Sequence, residues 1–268
     1  MKTRTALPRL ACALLLGAAG ARAANELPCS AEVFAALGRQ VKTAHFAPGL
    51  NDFGTDPSGV ILASACKRMP NDPRLMLAAA AWDAGKADEK SLVLALVDEA
   101  SSTIVAAFQG AIDEDAATQV NNGSLRLDTA AYELAPGVRA VGLDISSDEH
   151  GCGDGTLGPT RSLYVRDGKA LRPVVAGLSL NPSWYLRGNQ RRCVSDPQVS
   201  ETAITEDVKV TIALGAPGKG GWRDLMMTAA ATRSDHEPAR KPLHLRVPYD
   251  GDAYPMVLWV KAFAQWRK

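Results

Sequence analysis

The sequence predicts a mainly β protein, an antiparallel sandwich or small propeller-like domain with one N-terminal helix. Three observations carry this prediction. Short apolar runs recur along most of the chain, cut by turn residues at spacings typical of all-β domains. A single segment shows a clear helical period. Neither strand–helix–strand alternation nor a repeat of fixed period occurs in the 268 residues. With 46% hydrophobic and 22% charged residues, the chain can bury a full core. That composition excludes a disordered tail, a collagen-like repeat and a small disulfide scaffold.

The first 23 residues read as a secretory signal. Lys2, Arg4 and Arg9 form a positive region, Leu10 to Ala19 is apolar, and Ala21-Arg22-Ala23 is a cleavage triplet. The apolar stretch is about half the length of a membrane span, which predicts removal rather than retention. Residues 24–268 are then one exported domain, periplasmic or secreted in a Gram-negative bacterium. No later run reaches the ~18 apolar residues that membrane insertion would need. The signal takes four of the 30 basic residues and none of the 29 acidic ones, leaving a net charge of −3. Such a balance argues against a nucleic-acid partner, which calls for a basic surface.

Cys12 leaves with the signal, and Cys29, Cys66, Cys152 and Cys193 remain. An even count in an oxidising compartment predicts two disulfides. Three connectivities are possible. Cys29–Cys66 with Cys152–Cys193 is favoured, since each bond closes a loop of moderate length within one half of the chain. No C-x-x-C pair offers a zinc site.

The helix begins at Ser30, a good N-cap, with Glu32 in its first turn and Val33, Phe34, Leu37 and Val41 on one face. Pro48 and Gly49 are expected to mark its end. Leu77 to Ala81 is an Ala-rich strand that would let neighbouring layers approach closely. Leu92–Val97 and Thr103–Phe108 are apolar on both faces and predict a doubly buried hairpin. Leu125 and Leu127 alternate with Arg126 and Asp128, as do Val208, Val210 and Ile212 with Lys209 and Thr211. Both patterns describe half-exposed strands. Val138–Ile145 is another apolar run.

Two Asp-Gly pairs predict register. At Asp250-Gly251 a two-residue turn would pair Val247 with Tyr254, Leu245 with Met256 and Leu243 with Leu258, all on one face. At Asp167-Gly168 a three-residue loop from Arg166 would pair Leu163 with Leu171, with Gly168 left-handed in a bulged turn.

Catalytic patterns are incomplete. Gly177-Leu178-Ser179-Leu180-Asn181 lacks the second glycine of a nucleophile elbow and reads as a strand end. His236-Glu237-Pro238-Ala239-Arg240 has Arg where a second zinc ligand belongs, and a helix-breaking proline. Asp113, Glu114 and Asp115 are neighbours on a turn, not carboxylates facing each other across a cleft. The glycine-rich run Gly151–Pro159 precedes a strand, so it offers no helix N-terminus to a pyrophosphate. No catalytic residue is assigned and no cofactor is expected. Asp148, Glu149 and Asp154 form the one acidic cluster suited to Ca²⁺. Trp184 with Arg187, Arg191 and Arg192 is the one basic-aromatic cluster.

The segment Gly221-Trp222-Arg223-Asp224-Leu225 resembles the second half of an FG-GAP calcium loop. Gly215–Gly220 stands where that loop carries its acidic ligands and has no carboxylate. This degenerate loop, the Tyr249-Asp250-Gly251 segment and the strand-turn Leu163–Gly168 are similar to features of certain exported Gram-negative β proteins. Among these are periplasmic lysozyme inhibitors and immunity proteins against peptidoglycan hydrolases; others have no assigned activity. The resemblance implies a non-catalytic binding module for a macromolecule such as a cell-wall hydrolase. Trp222, Arg223, Asp224, Trp184 and Arg187 are the candidate contacts. The alternative is a hydrolase of an envelope glycan or peptide, its carboxylates converging from distant strands.

Overall fold

The structure is a computed structural model that describes residues 26–43, 46–49, 59–114, 118–146, 148–149, 155–187 and 203–268. Along the chain run α1 (Ala31–Val41), β1 (Ala47–Pro48), β2 (Val60–Arg68), β3 (Leu75–Trp82), β4 (Glu89–Asp98) and β5 (Thr103–Asp113). There follow β6 (Thr118–Gln119), β7 (Leu125–Ala135), β8 (Val138–Ile145), β9 (Asp148–Glu149) and β10 (Gly155–Thr156). The last elements are β11 (Thr160–Asp167), β12 (Ala170–Ser179), β13 (Ser183–Arg187), β14 (Ile204–Pro217), β15 (Arg223–Arg233), β16 (Leu243–Val247) and α2 (Met256–Arg267).

The protein is mainly β, as the patterning predicts. A nine-stranded sheet in the order β1-β2-β3-β4-β5-β12-β11-β8-β7 curls into a half-barrel. A five-stranded sheet, β10-β13-β14-β15-β16, packs on part of its outer face. Apart from the short β1, which runs parallel to β2, the large sheet consists of two antiparallel meanders. They meet where β5 and β12 run parallel, paired at Ala107 and Ala170.

Three apolar clusters follow from strand alternation. The curl is filled by one face of each long strand, including Leu77, Leu94, Leu127, Leu143, Tyr164 and Leu171. The opposite face of β2–β4 is covered by α1, through Val33 and Leu37 on Cys66, Ala78, Ala80 and Val93. Ala78 to Ala81 are fully buried, so their small side chains let α1 and the inner core lie close to both faces of β3. The third cluster lies between the outer face of β8, β11 and β12 and the smaller sheet with α2.

Local readings from sequence are largely met. Ser30 caps α1 by accepting the Val33 N–H at 3.4 Å. The helix stops at Val41 on a left-handed Lys42, earlier than Pro48, which instead sits in β1. The β4–β5 hairpin forms with Asp98 opposite Thr103, and Leu92 to Val97 are buried. Of Thr103 to Phe108 only Ala106 is buried, so the hairpin is doubly buried on its first strand alone. β8 matches the predicted run, and β7 and β14 show the predicted alternation. Cys29 and Cys66 are disulfide-bonded, tying the start of α1 to β2. Cys152, Cys193 and the signal segment lie outside the described residues.

Both turn registers are corrected. Asp167 pairs with Ala170, leaving Gly168 and Lys169 as a two-residue turn, and Leu163 faces Val175 across a bulge. Gly168 is left-handed at φ +60°, as predicted, at the first central position. The predicted pairing failed because Leu163, Tyr164 and Val165 are all buried. When both faces are apolar, alternation does not reveal which one faces a given core.

The larger correction is the late hairpin. Residues 254–258 are not a strand. The Asp250 carboxylate instead accepts the Asp252 and Ala253 N–H groups, both at 2.9 Å, in a local side-chain turn. Pro255 then opens α2. Proline has no N–H for a ladder but is tolerated where a helix begins.

Candidate functional site

The sequence-predicted contacts do not gather in one place. Trp184 lies opposite Glu206 near the start of β14, and Trp222 lies beyond the far end of that strand. Eleven residues of extended chain, roughly 35 Å, separate the two ends. At the far end, Trp222 stacks on Tyr249 with ring centroids 3.8 Å apart. Arg223 donates from Nε to the Gly215 carbonyl at 2.9 Å. Asp224 is buried and accepts from Arg246 Nε at 2.5 Å. Tyr254 Oη closes the corner on the Arg223 carbonyl at 2.6 Å. Burial pushes the Tyr254 phenol well above its ordinary pKa. The segment from Gly221 to Leu225 leads into β15, with Asp224 held by Arg246.

At the near end, Trp184 is buried beneath two guanidinium groups. Arg267 lies 4.6 Å and Arg240 5.7 Å from its ring centre. Arg240 also holds the buried Glu206 carboxylate, with Nη2 2.8 Å from Oε2, and donates to the Trp266 carbonyl. Arg187 is exposed at the end of β13.

The acids that converge among the described residues are ion-paired. Arg161 binds both oxygens of Asp144, at 2.6 and 2.7 Å, and lies 2.7 Å from Asp128. It also donates to Tyr132 Oη, which donates onward to Asp128. Burial raises the Tyr132 phenol to about 12. Burial opposes the charge on Arg161, but hydrogen bonds and attraction from Asp144 hold its pKa above the ordinary value. A second convergence places Lys90 3.2 Å from both Asp83 and Glu114. Neither arrangement leaves two acids facing an open cleft. Among the described residues, no group of three or more His, Cys, Asp or Glu is placed to hold a metal. Asp148 and Glu149 form the short strand β9, and Asp154 lies outside the described residues.

What the sequence reading missed is α2. Its inward side buries Trp259 and packs Met256, Phe263 and Trp266 on Trp184, Val208 and Val210. Its outward side exposes apolar residues as well, Val257 (55%), Leu258 (42%) and Val260 (61%), alongside Lys261 and Gln265. Between α2 and the end of β12 lies a groove of about 540 Å³. Val210, Trp259, Val260 and Phe263 form much of its wall, and Leu157, 66% exposed, forms its rim. Gly155 and Gly158 let the Leu157 segment lie directly on the backbone of Ser183 and Asn181, where a Cβ would collide. The spacing of Met256, Trp259, Phe263 and Trp266 behind a proline was the available sequence signal.

Fold and site together define a disulfide-bonded β protein with an apolar groove beneath an apolar helix. The chain matches no protein-family model, no curated protein and no solved structure. No helix among the described residues is long and apolar enough to cross a membrane.

Proposed function

We propose that the protein is an exported binding module of the Gram-negative periplasm or cell exterior, which recognises a macromolecule through the outer face of α2 and its groove. A cell-wall hydrolase is the partner class to which the sequence resemblance points. The observation that carries the reading is the exposure of Val257, Leu258 and Val260 on a helix whose other side is already buried. Large apolar side chains left exposed together on one element are a common mark of an interaction site. The Cys29–Cys66 bond supports an oxidising location.

Photo-crosslinking tests this. A crosslinker placed at Val260 in the exporting cell should give a discrete adduct, while one at exposed Thr211 on the far face of β14 should not. No adduct at Val260, or equal adducts at both positions, would remove α2 as the contact surface.

A further inference from the structure

Resting on that reading of α2, we propose that the group entering the groove is a single acyl chain with an acidic head, a long-chain carboxylate in its simplest form. The groove is chemically lopsided. Its body is aliphatic and aromatic, with Leu178, Val210, Trp259 and Phe263 along its length and Gly177 presenting no side chain. Ser179, a polar group on its wall, already donates its hydroxyl to the Leu157 carbonyl. Its charged lining side chains are those of Arg267 and Lys268, both cationic, and no acidic side chain lines it.

Neighbouring charges sharpen the asymmetry. Arg240 is matched by the buried Glu206. Arg267 is held over the Trp184 ring, and among the described residues no acidic side chain forms an ion pair with it or with Lys268. One end of an apolar groove therefore carries positive charge that a bound anion would answer.

The same lopsidedness separates an acyl chain from a peptide. An inserted peptide brings an N–H and a carbonyl with each residue, and buried backbone groups need partners. The walls of this groove are mostly apolar and offer few. A hydrocarbon chain needs none, and it would cover exposed Leu157 and Val260. A volume of about 540 Å³ falls within the span of small-molecule sites.

The test uses the whole mature chain with dodecanoate below its micelle concentration, its methyl ester, and phosphatidylglycerol vesicles. Calorimetry and tryptophan fluorescence should show saturable binding of one dodecanoate per chain, at least tenfold tighter than the ester. Arg267→Glu should bring the acid down to the affinity of the ester. Ala264→Trp, at an exposed helix position lining the groove, should abolish binding of both, with circular dichroism showing that each variant is folded. The proposal is overturned by absence of saturable binding, by equal affinity for acid and ester, or by binding to vesicles alone. Dodecanoate binding that both variants leave unchanged would also overturn it. A Val260 crosslink with no amphiphile binding would overturn the acyl-chain proposal and leave α2 as a contact surface.

Discussion

Lys67 Nζ donates to the Leu127 carbonyl at 3.0 Å, across the seam where β2 and β7 come together without backbone pairing. The N–H of the same Leu127 is taken by Glu26 Oε1 at 2.8 Å. Glu26 is held there because Leu27 donates to the Cys66 carbonyl at 2.8 Å and Cys29 is bonded to Cys66. Two side chains and a stapled segment thus occupy backbone groups that would otherwise be an open edge for another strand.

Lys67→Met should lower stability by about 1.5–3 kcal/mol, the range for a hydrogen bond from a charged donor. Denaturant midpoints measure it. A double-mutant cycle with Glu26→Gln should be non-additive, since both groups act on one peptide unit.

Replacing Cys29 and Cys66 together by alanine should cost about 4 kcal/mol, from the loop that their 37-residue separation closes. Amide exchange at Leu127 should quicken in that variant, because Glu26 loses its tether. A reductant should lower the wild-type midpoint by more than that of the variant.

Arg161→Met would leave the buried Asp144 and its neighbour Asp128 without a counter-ion, with an expected loss of about 3–5 kcal/mol. Arg161→Lys should recover only part of that, because a lysine cannot hold both oxygens of Asp144 in a planar fork.

Alkaline pH should also reach this cluster. The Tyr132 phenol is raised from 10.0 to about 12 in the folded protein, so its neutral form is favoured there. That contribution is whole below pH 10 and is lost as pH rises from 10 through 12. Tyr164 and Tyr254 are also raised by burial, so absorbance titration should show the late-ionising tyrosines reduced by one in Tyr132→Phe. The stability of the variant should fall less steeply over the same interval.

The two sides of α2 should behave differently. Trp259→Ala empties a buried position and should cost about 3–5 kcal/mol, read from thermal or denaturant unfolding. Val260→Ser, on the exposed side, should stay within about 0.5 kcal/mol of wild type. A large loss in the second variant would mean that the outer face serves the fold.

Several strands were readable where burial was one-sided or continuous, although β2 was not. Val138–Ile145 and the alternation from Val208 to Ile212 needed only their side-chain periods. Register was harder. Between Leu163 and Val165 both faces meet a core, so the periodic signal that orients a strand vanishes. The late helix was obscured by a competing pattern, because Leu243, Leu245 and Val247 alternate ahead of an Asp-Gly pair that suggests a hairpin. Pro255 and the spacing from Met256 to Trp266 carried the opposing signal. The groove itself depends on Leu157, Val210 and Phe263 meeting from distant parts of the chain. Local spacing in a sequence does not encode that meeting.

The single pairing of Ala107 with Ala170 divides the nine-stranded sheet into halves whose internal ladders are far richer than the bond between them. Packing inside the curl bridges the halves, with Phe108 against Tyr164 at 4.9 Å across the joint. Under load the protein would therefore part along this line first. Each meander would then open as a cooperative block, and isotope labelling of its amides would show two populations with different lifetimes.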